Sequence, residues 1–261
     1  MKSHLKRIGR LGIQKILIFV LMMLLVNITC WAQNKKDTLR ILFAGNSYTY
    51  YENLPQIISV ISDSSKTKLI TKKSTAGGVY LSDHWHSKNG LKTKELIANG
   101  NFDIVVLQEQ SMGTITAPDS VHVYAKLLCD FIRKNGAKPY LYMTWAREKV
   151  PQQQKTISKV YSEVATKNKA GLVPVGEAWQ LARQLRPNIR LYIADGSHPS
   201  ALGSFLTACV FVKTILQKLP QNLPRVYRSN DAEGESISLM RLDPLDVRFC
   251  IRVADETVGK K

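Results

Sequence analysis

Two short stretches of this chain carry residue types that can do chemistry together. The first is Gly45-Asn46-Ser47, which halts the apolar run Ile41-Leu42-Phe43-Ala44. An apolar run of this length, bounded by turn residues, reads as a buried strand. Gly45 and Asn46 allow the backbone to turn sharply. Ser47 is therefore expected just past the carboxyl end of a strand, where open α/β sheets place their ligands. A serine there becomes a nucleophile if a base stands beside it. The second stretch is Asp195-Gly196-Ser197-His198-Pro199, far along the chain. A carboxylate three residues ahead of a histidine, in a turn, can accept from one ring nitrogen, fix the tautomer and stabilise the imidazolium. The other nitrogen is then free to take the proton of Ser47. Either stretch alone is common in ordinary loops. Their pairing at the two ends of one α/β pattern is what carries information.

Acyl transfer also needs hydrogen-bond donors for a developing oxyanion. The backbone N–H of Ser47 is one candidate. Gly77-Gly78 follows a predicted second strand and offers another N–H, since glycine permits close approach. Gln108 and Gln110 follow a predicted third strand, and either amide side chain could serve. His84-Trp85-His86 invites a metal reading, but neither Asp83 nor His122 supplies an obvious third ligand. Its place after the glycine pair favours His84 and Trp85 as pocket lining, with no metal. Trp145-Ala146-Arg147 follows a fourth strand. Trp145 either stacks on a sugar or covers the core, and Arg147 either reads an acidic group or stays solvated. Tyr48, Tyr50 and Tyr51 flank the nucleophile and can line a cleft.

These residues need a scaffold. Strands are predicted at 39–44, 68–72, 102–107, 139–144 and 171–175. Helices are predicted at 53–61, 91–98, 119–134, 151–168, 176–185, 200–216 and 244–258. Residues 80–89 read as a polar, aromatic loop, and 219–230 as a proline-containing connection. The run 102–107 is continuously apolar, as in a strand buried on both faces of a parallel sheet. Repeated strand–helix alternation predicts an α/β fold: a three-layer α/β/α sandwich, flavodoxin-like, with about five parallel strands.

The series Gly45-Asn46-Ser47, a glycine after the second strand, an amide after the third, and Asp195-x-x-His198-Pro199 resembles the SGNH hydrolases, also called GDSL-type esterases and lipases. The resemblance spans about residues 39–210. It implies a three-layer α/β/α fold with Ser47, His198 and Asp195 as catalytic residues. It further implies an oxyanion hole from Ser47, Gly78 and an amide side chain. Two departures stand out. The aspartate usual before the serine is Asn46 here. Leu107-Gln108-Glu109-Gln110-Ser111 stands where a Gly-x-Asn block is usual. Some acetylesterase branches use a glutamine near this point, which makes Gln108 the first choice for the third donor and Gln110 the second.

Bulk properties set the remaining bounds. A chain of 261 residues that is 44% hydrophobic and 22% charged can bury a sizeable core and does not have a disordered composition. Residues 1–32 carry five basic residues and no acid, an apolar run at 16–26, and Ala32 at its end. They read as a secretory signal peptide cut after Ala32, leaving 33–261 as one catalytic domain with a C-terminal helix. An uncleaved anchor, or a lipid on Cys30, is the alternative. Removing the five leader charges from +17 leaves +12. The lysines are scattered rather than striped, and export argues further against nucleic acid. Cys129, Cys209 and Cys250 then remain, either as buried thiols or with Cys209 and Cys250 paired.

The expectation is a periplasmic or secreted serine esterase that needs no cofactor and keeps no membrane span after cleavage. It would hydrolyse short acyl groups, acetyl preferred, on a small-molecule or carbohydrate ester. The alternatives are a lysophospholipase or thioesterase-like hydrolase, and a catalytically silent glycan-binding envelope protein.

Overall fold

A computed structural model describes residues 37–231 and 233–259. The leader expectation falls outside the described residues. Five strands form the central sheet: β1 (Asp37–Gly45), β2 (Thr67–Thr75), β3 (Ile104–Leu107), β4 (Lys138–Tyr142) and β5 (Gly171–Val173), in the order β2-β1-β3-β4-β5. β1, β3, β4 and β5 run parallel, in a register that sets Ala44 beside Leu107, and Leu107 beside Leu141. The order matches the flavodoxin-like pattern, whose topological switch lies between β1 and β3.

The sheet is buried on both faces, which is why its central strands read as unbroken apolar runs. Ile41 and Phe43 join Ile104 and Val106 on one face, while Leu42 and Ala44 join Val105 and Leu107 on the other, as a period of two requires. The first face is covered by α2 (Leu54–Ser62), α8 (Val175–Leu185), α9 (Ala201–Leu216) and α10 (Pro244–Val258). The second is covered by α3 (Leu81–His86), α4 (Thr93–Asn99), α6 (Pro118–Lys134) and α7 (Gln154–Lys167). Two single-turn helices, α1 (Ser47–Tyr50) and α5 (Gly113–Thr116), follow β1 and β3. α9 is buried continuously from Gly203 to Val212, because it packs against α2, α8 and α10 at once.

The predicted architecture holds, with two local corrections. Residues 81–86 are the helix α3 rather than loop. Its inward positions Leu81 and His84, three apart, are buried under a mainly polar sequence. The connection after α9 contains an antiparallel hairpin, β6 (Val226–Asn230) and β7 (Ser236–Arg241). It is fastened by buried Tyr227 against Phe205, and by Gln56 Nε2 donating to Ser229 Oγ at 2.8 Å. Cys129, Cys209 and Cys250 are free thiols, all buried. Among the described residues no helix is long and apolar enough to cross a membrane.

α9 fits closely against the rest at Gly203, where an added Cβ would lie 2.2 Å from the Leu191 carbonyl oxygen and 2.8 Å from Trp179 Cζ2. Neither neighbour is the tip of a flexible chain. Gly203→Ala should therefore cost about 3 kcal/mol, read as a lower urea midpoint at unchanged m-value.

Candidate active site

Everything at the site begins with the abrupt end of β1. Gly45 is so closely surrounded that a Cβ would sit 2.3 Å from Thr49 Oγ1 in α1 and 2.5 Å from Oε1 of Gln108, just past β3. Asn46 then caps α1, its Oδ1 accepting from the Tyr48 N–H at 3.1 Å. Its Nδ2 donates to the Val79 carbonyl at 3.0 Å, a bond that an aspartate could not make. Ser47 is thus the first residue of α1, with its backbone N–H among the donors that a helix start leaves unsatisfied.

His198 reaches Ser47 from 151 residues away, its Nε2 2.8 Å from Ser47 Oγ. Its Nδ1 lies 2.5 Å from Asp195 Oδ2, and Asp195 Oδ1 accepts from the N–H groups of Ser197 and His198, each at 2.9 Å. The partial desolvation of Asp195 would raise its pKa. The hydrogen bonds from His198 and from the two N–H groups outweigh this and hold the carboxyl below its usual value. The Asp195 side chain is 43% exposed and that of His198 26%, so the pair sits at the rim rather than in the interior.

Aromatic rings fix the imidazole. Tyr51 stacks on it at 4.4 Å between centroids, and Tyr48 meets it edge-on at 5.6 Å. Glu52 (φ 49°) and Asn53 (φ 51°) follow Tyr51 in the left-handed region, a sharp reversal that non-glycine residues adopt only when held. Beneath, Trp145 lies between Tyr48 (4.5 Å) and Trp179 (3.8 Å), both nearly parallel to it. Trp145 Nε1 donates to the Ser197 carbonyl at 2.9 Å, and the Tyr48 hydroxyl lies 2.7 Å from Ser197 Oγ. Burial raises the Tyr48 pKa, which keeps that hydroxyl neutral.

Ser47 and His198 open into a cavity of about 350 Å³. Gly78 (φ 67°), Gln110, Tyr50 and Tyr51 line it, together with Ser111 and Arg147, and no aliphatic side chain does so among the described residues. Several expectations need correction here. Gln108 is fully buried, and both ends of its amide are engaged. Its Oε1 accepts from the Asn46 N–H and Thr49 Oγ1, each at 2.9 Å, and its Nε2 donates to Asn46 Oδ1 at 3.0 Å and to the Glu109 carbonyl. It braces the nucleophile turn from below and does not face the cavity; Gln110 does. Gln110 Oε1 accepts from the Met112 N–H at 2.6 Å, which leaves its Nε2 as the free donor end.

The proposed lining also shifts. His84 is buried, its Nδ1 2.7 Å from Thr93 Oγ1 and its ring against the Gly45 backbone. Trp85 packs on Phe131, with the Lys94 ammonium over its ring. Trp145 is 1% exposed inside its stack and so offers no face to a sugar. Of the four residues expected to touch substrate, only Tyr48 lines the cavity. Sequence reasoning missed Ser111, Ser197 and Glu109. The first two stand one residue from Gln110 and His198, so adjacency was the available clue. Glu109 is buried, and burial lifts its carboxyl to about 7. It accepts from the N–H groups of Gln110 at 2.6 Å and Leu81 at 3.3 Å, tying the β3 end to the start of α3.

His84 supplies a pH test of this packing. Burial drives its pKa down from 6.5 to about 4, against the pull of the Gly45 backbone and Asp83. Between those values the unfolded chain binds a proton that the folded chain refuses, so stability falls as pH drops through that range. Glu109 acts with the opposite sign in the same range, because its folded pKa is raised. Comparison with His84→Gln isolates the histidine: the stability lost between pH 7 and pH 4.5, by urea titration, should be about 2–3 kcal/mol smaller in the variant.

No protein-family model matches the chain, and no curated protein does. Solved structures do match. A Slackia heliotrinireducens protein assigned to the SGNH hydrolases is 27% identical, covers 69% of this chain and 100% of its own, and superposes with a TM-score of 0.58. A DUF4886 family protein from Bacteroides uniformis is 17% identical, with coverage of 85% and 95% and a TM-score of 0.70. An acetyl xylan esterase is 16% identical, with coverage of 68% and 100% and a TM-score of 0.50. The last two share the fold, and the first, taken with the β2-β1-β3-β4-β5 sheet, relates the chain to the SGNH hydrolase superfamily of GDSL-type esterases and lipases.

Proposed function

We propose that this protein is an exported serine esterase of the SGNH type, which removes short acyl groups, acetyl above all, from a carbohydrate. The observation that carries the reading is the 2.8 Å contact between Ser47 Oγ and His198 Nε2, backed by Asp195, in the wall of a small polar cavity. Ser47 Oγ attacks the ester carbonyl while His198 takes its proton, and Asp195 stabilises the resulting imidazolium. The tetrahedral oxyanion meets the N–H groups of Ser47 and Gly78 and the amide of Gln110. His198 returns the proton to the leaving alcohol, and water then releases the acid.

The cavity wall supports a short acyl group. A long chain needs an apolar channel, and the described lining consists of hydroxyl, amide, aromatic and glycine positions with one arginine. This also weighs against the lysophospholipase reading. The acetyl xylan esterase among the structural neighbours agrees with an acetylated carbohydrate, and the basic, apolar leader at 1–32 agrees with export.

Turnover of p-nitrophenyl acetate tests the chemistry. Ser47→Ala should abolish it, and full retention would remove Ser47 from the role of nucleophile. Gln110→Ala should lower kcat on the order of 10²-fold with little change in melting temperature. Gln108→Ala should instead act first on stability, because it strands the buried Asn46 N–H and Thr49 hydroxyl. The reverse pattern would return the third oxyanion donor to Gln108.

A further inference from the structure

Among the described residues that line the cavity, Arg147 alone carries a permanent charge. It stands on the loop after β4, at the same edge of the sheet as Ser47. Its Nη2 donates to Ser111 Oγ at 3.3 Å, and the guanidinium lies close enough to the Tyr48 hydroxyl to lower that phenol's pKa against its burial. It forms no ion pair among the described residues. Two of the carboxylates near it are committed elsewhere, and the third, Glu148, is exposed and makes no ion pair with it among the described residues. Asp195 is held by His198 and two N–H groups. Glu109 is buried on the N–H groups of Gln110 and Leu81. Glu148 does not line the cavity.

A neutral ligand leaves the face of this guanidinium that it covers without a countercharge. A substrate seated in the cavity displaces water from the cavity-facing side of the guanidinium, where the wall offers only the hydroxyls of Ser111 and Tyr48 in return. A ligand that brings an anion supplies the countercharge. The planar fork of an arginine suits a carboxylate, which it can hold through two parallel hydrogen bonds. Ser111 already takes one N–H and orients the group. The wall also lacks aliphatic side chains, so the rest of the ligand is polar. The net charge of +12 that remains without the five basic leader residues adds long-range attraction of the same sign.

We propose that Arg147 is a specificity-determining residue that binds a carboxylate on the alcohol portion of the ester, so that the substrate class is an acylated acidic sugar. The proposal rests on the esterase reading above. The acyl carbonyl lies at Ser47 and His198, while the carboxylate of the sugar meets the free edge of the guanidinium.

The test compares an O-acetylated galacturonate with the O-acetylated galactoside that differs only in bearing CH2OH in place of the carboxylate. The wild-type protein should favour the acid in kcat/KM by on the order of 30-fold, as one charge-assisted hydrogen-bonded pair provides. Added salt should shrink the preference. Arg147→Met should bring the ratio near one, mainly through KM, and Arg147→Lys should lie between. A wild-type ratio near one, or a ratio that survives Arg147→Met, overturns the assignment. So does a preference confined to lysophospholipid esters, which would make the anion a lipid phosphate. If neither sugar ester nor p-nitrophenyl acetate is turned over, the esterase reading has failed by itself. Calorimetry of galacturonate binding to the Ser47→Ala protein then decides: binding lost in Ser47→Ala/Arg147→Met supports the anion site, and no binding to Ser47→Ala refutes it. Arg147 is exposed, and matching thermal melts check that the variants are folded.

Discussion

The stack of Tyr48, Trp145 and Trp179 is the constraint on which the rest of the site depends. Ser47 and His198 belong to segments with no local reason to meet. Their contact requires the loop around Ser197 to be held down within tenths of an ångström. Trp145 does this with an N–H to the Ser197 carbonyl, and Tyr48 with a hydroxyl against Ser197 Oγ. Both rings are themselves clamped face to face, and Trp179 anchors the column to α9 through Thr207 Oγ1 at 3.1 Å. Flat rings packed at van der Waals distance give little under load. The geometry at the rim is therefore set by apolar packing in the interior, and not by the exposed Asp195–His198 pair.

A second brace lies under the serine and is made of amides. Asn46 and Gln108 exchange hydrogen bonds, with Asn46 N–H and Thr49 on one oxygen and the Val79 carbonyl on the other amide's nitrogen. The two departures from the familiar pattern, asparagine before the serine and glutamine after the third strand, are thus two halves of one structure. An asparagine supplies both a donor and an acceptor where a carboxylate supplies acceptors alone. Glu109 continues the brace by joining the loops that carry Gly78 and Gln110.

Much of this was legible in residue order. Ile41–Ala44 and Ile104–Leu107 declared themselves as buried strands, and Asp195 and His198, three apart in a turn, declared their mutual contact. What escaped notice depended on parity and neighbours. Gln108 and Gln110 both follow the same strand; which one points at the cavity depends on where the strand stops alternating and on what fills the space beneath Asn46. α3 was hidden because only Leu81 and His84 face inward, and a histidine in the core does not register as apolar. Trp145 announced an aromatic at the ligand edge correctly in position but not in direction, since its partner Trp179 is contributed by a helix 34 residues on. The hairpin Val226–Asn230 and Ser236–Arg241 buries only Tyr227 and Met240, too little for a periodic pattern to show.

The three cysteines of the described fold have a practical meaning. Each is a buried thiol: burial pushes Cys129 up to about 12, and it raises Cys209 and Cys250 as well. A thiol without water or thiolate character does not react with alkylating reagents while the chain is folded. The described fold is held without a disulfide among these three, so the thiols are shielded only while the chain stays folded. The same thiols become a built-in clock: the rate at which they take up a maleimide reports how often the α6, α9 and α10 layers open to solvent.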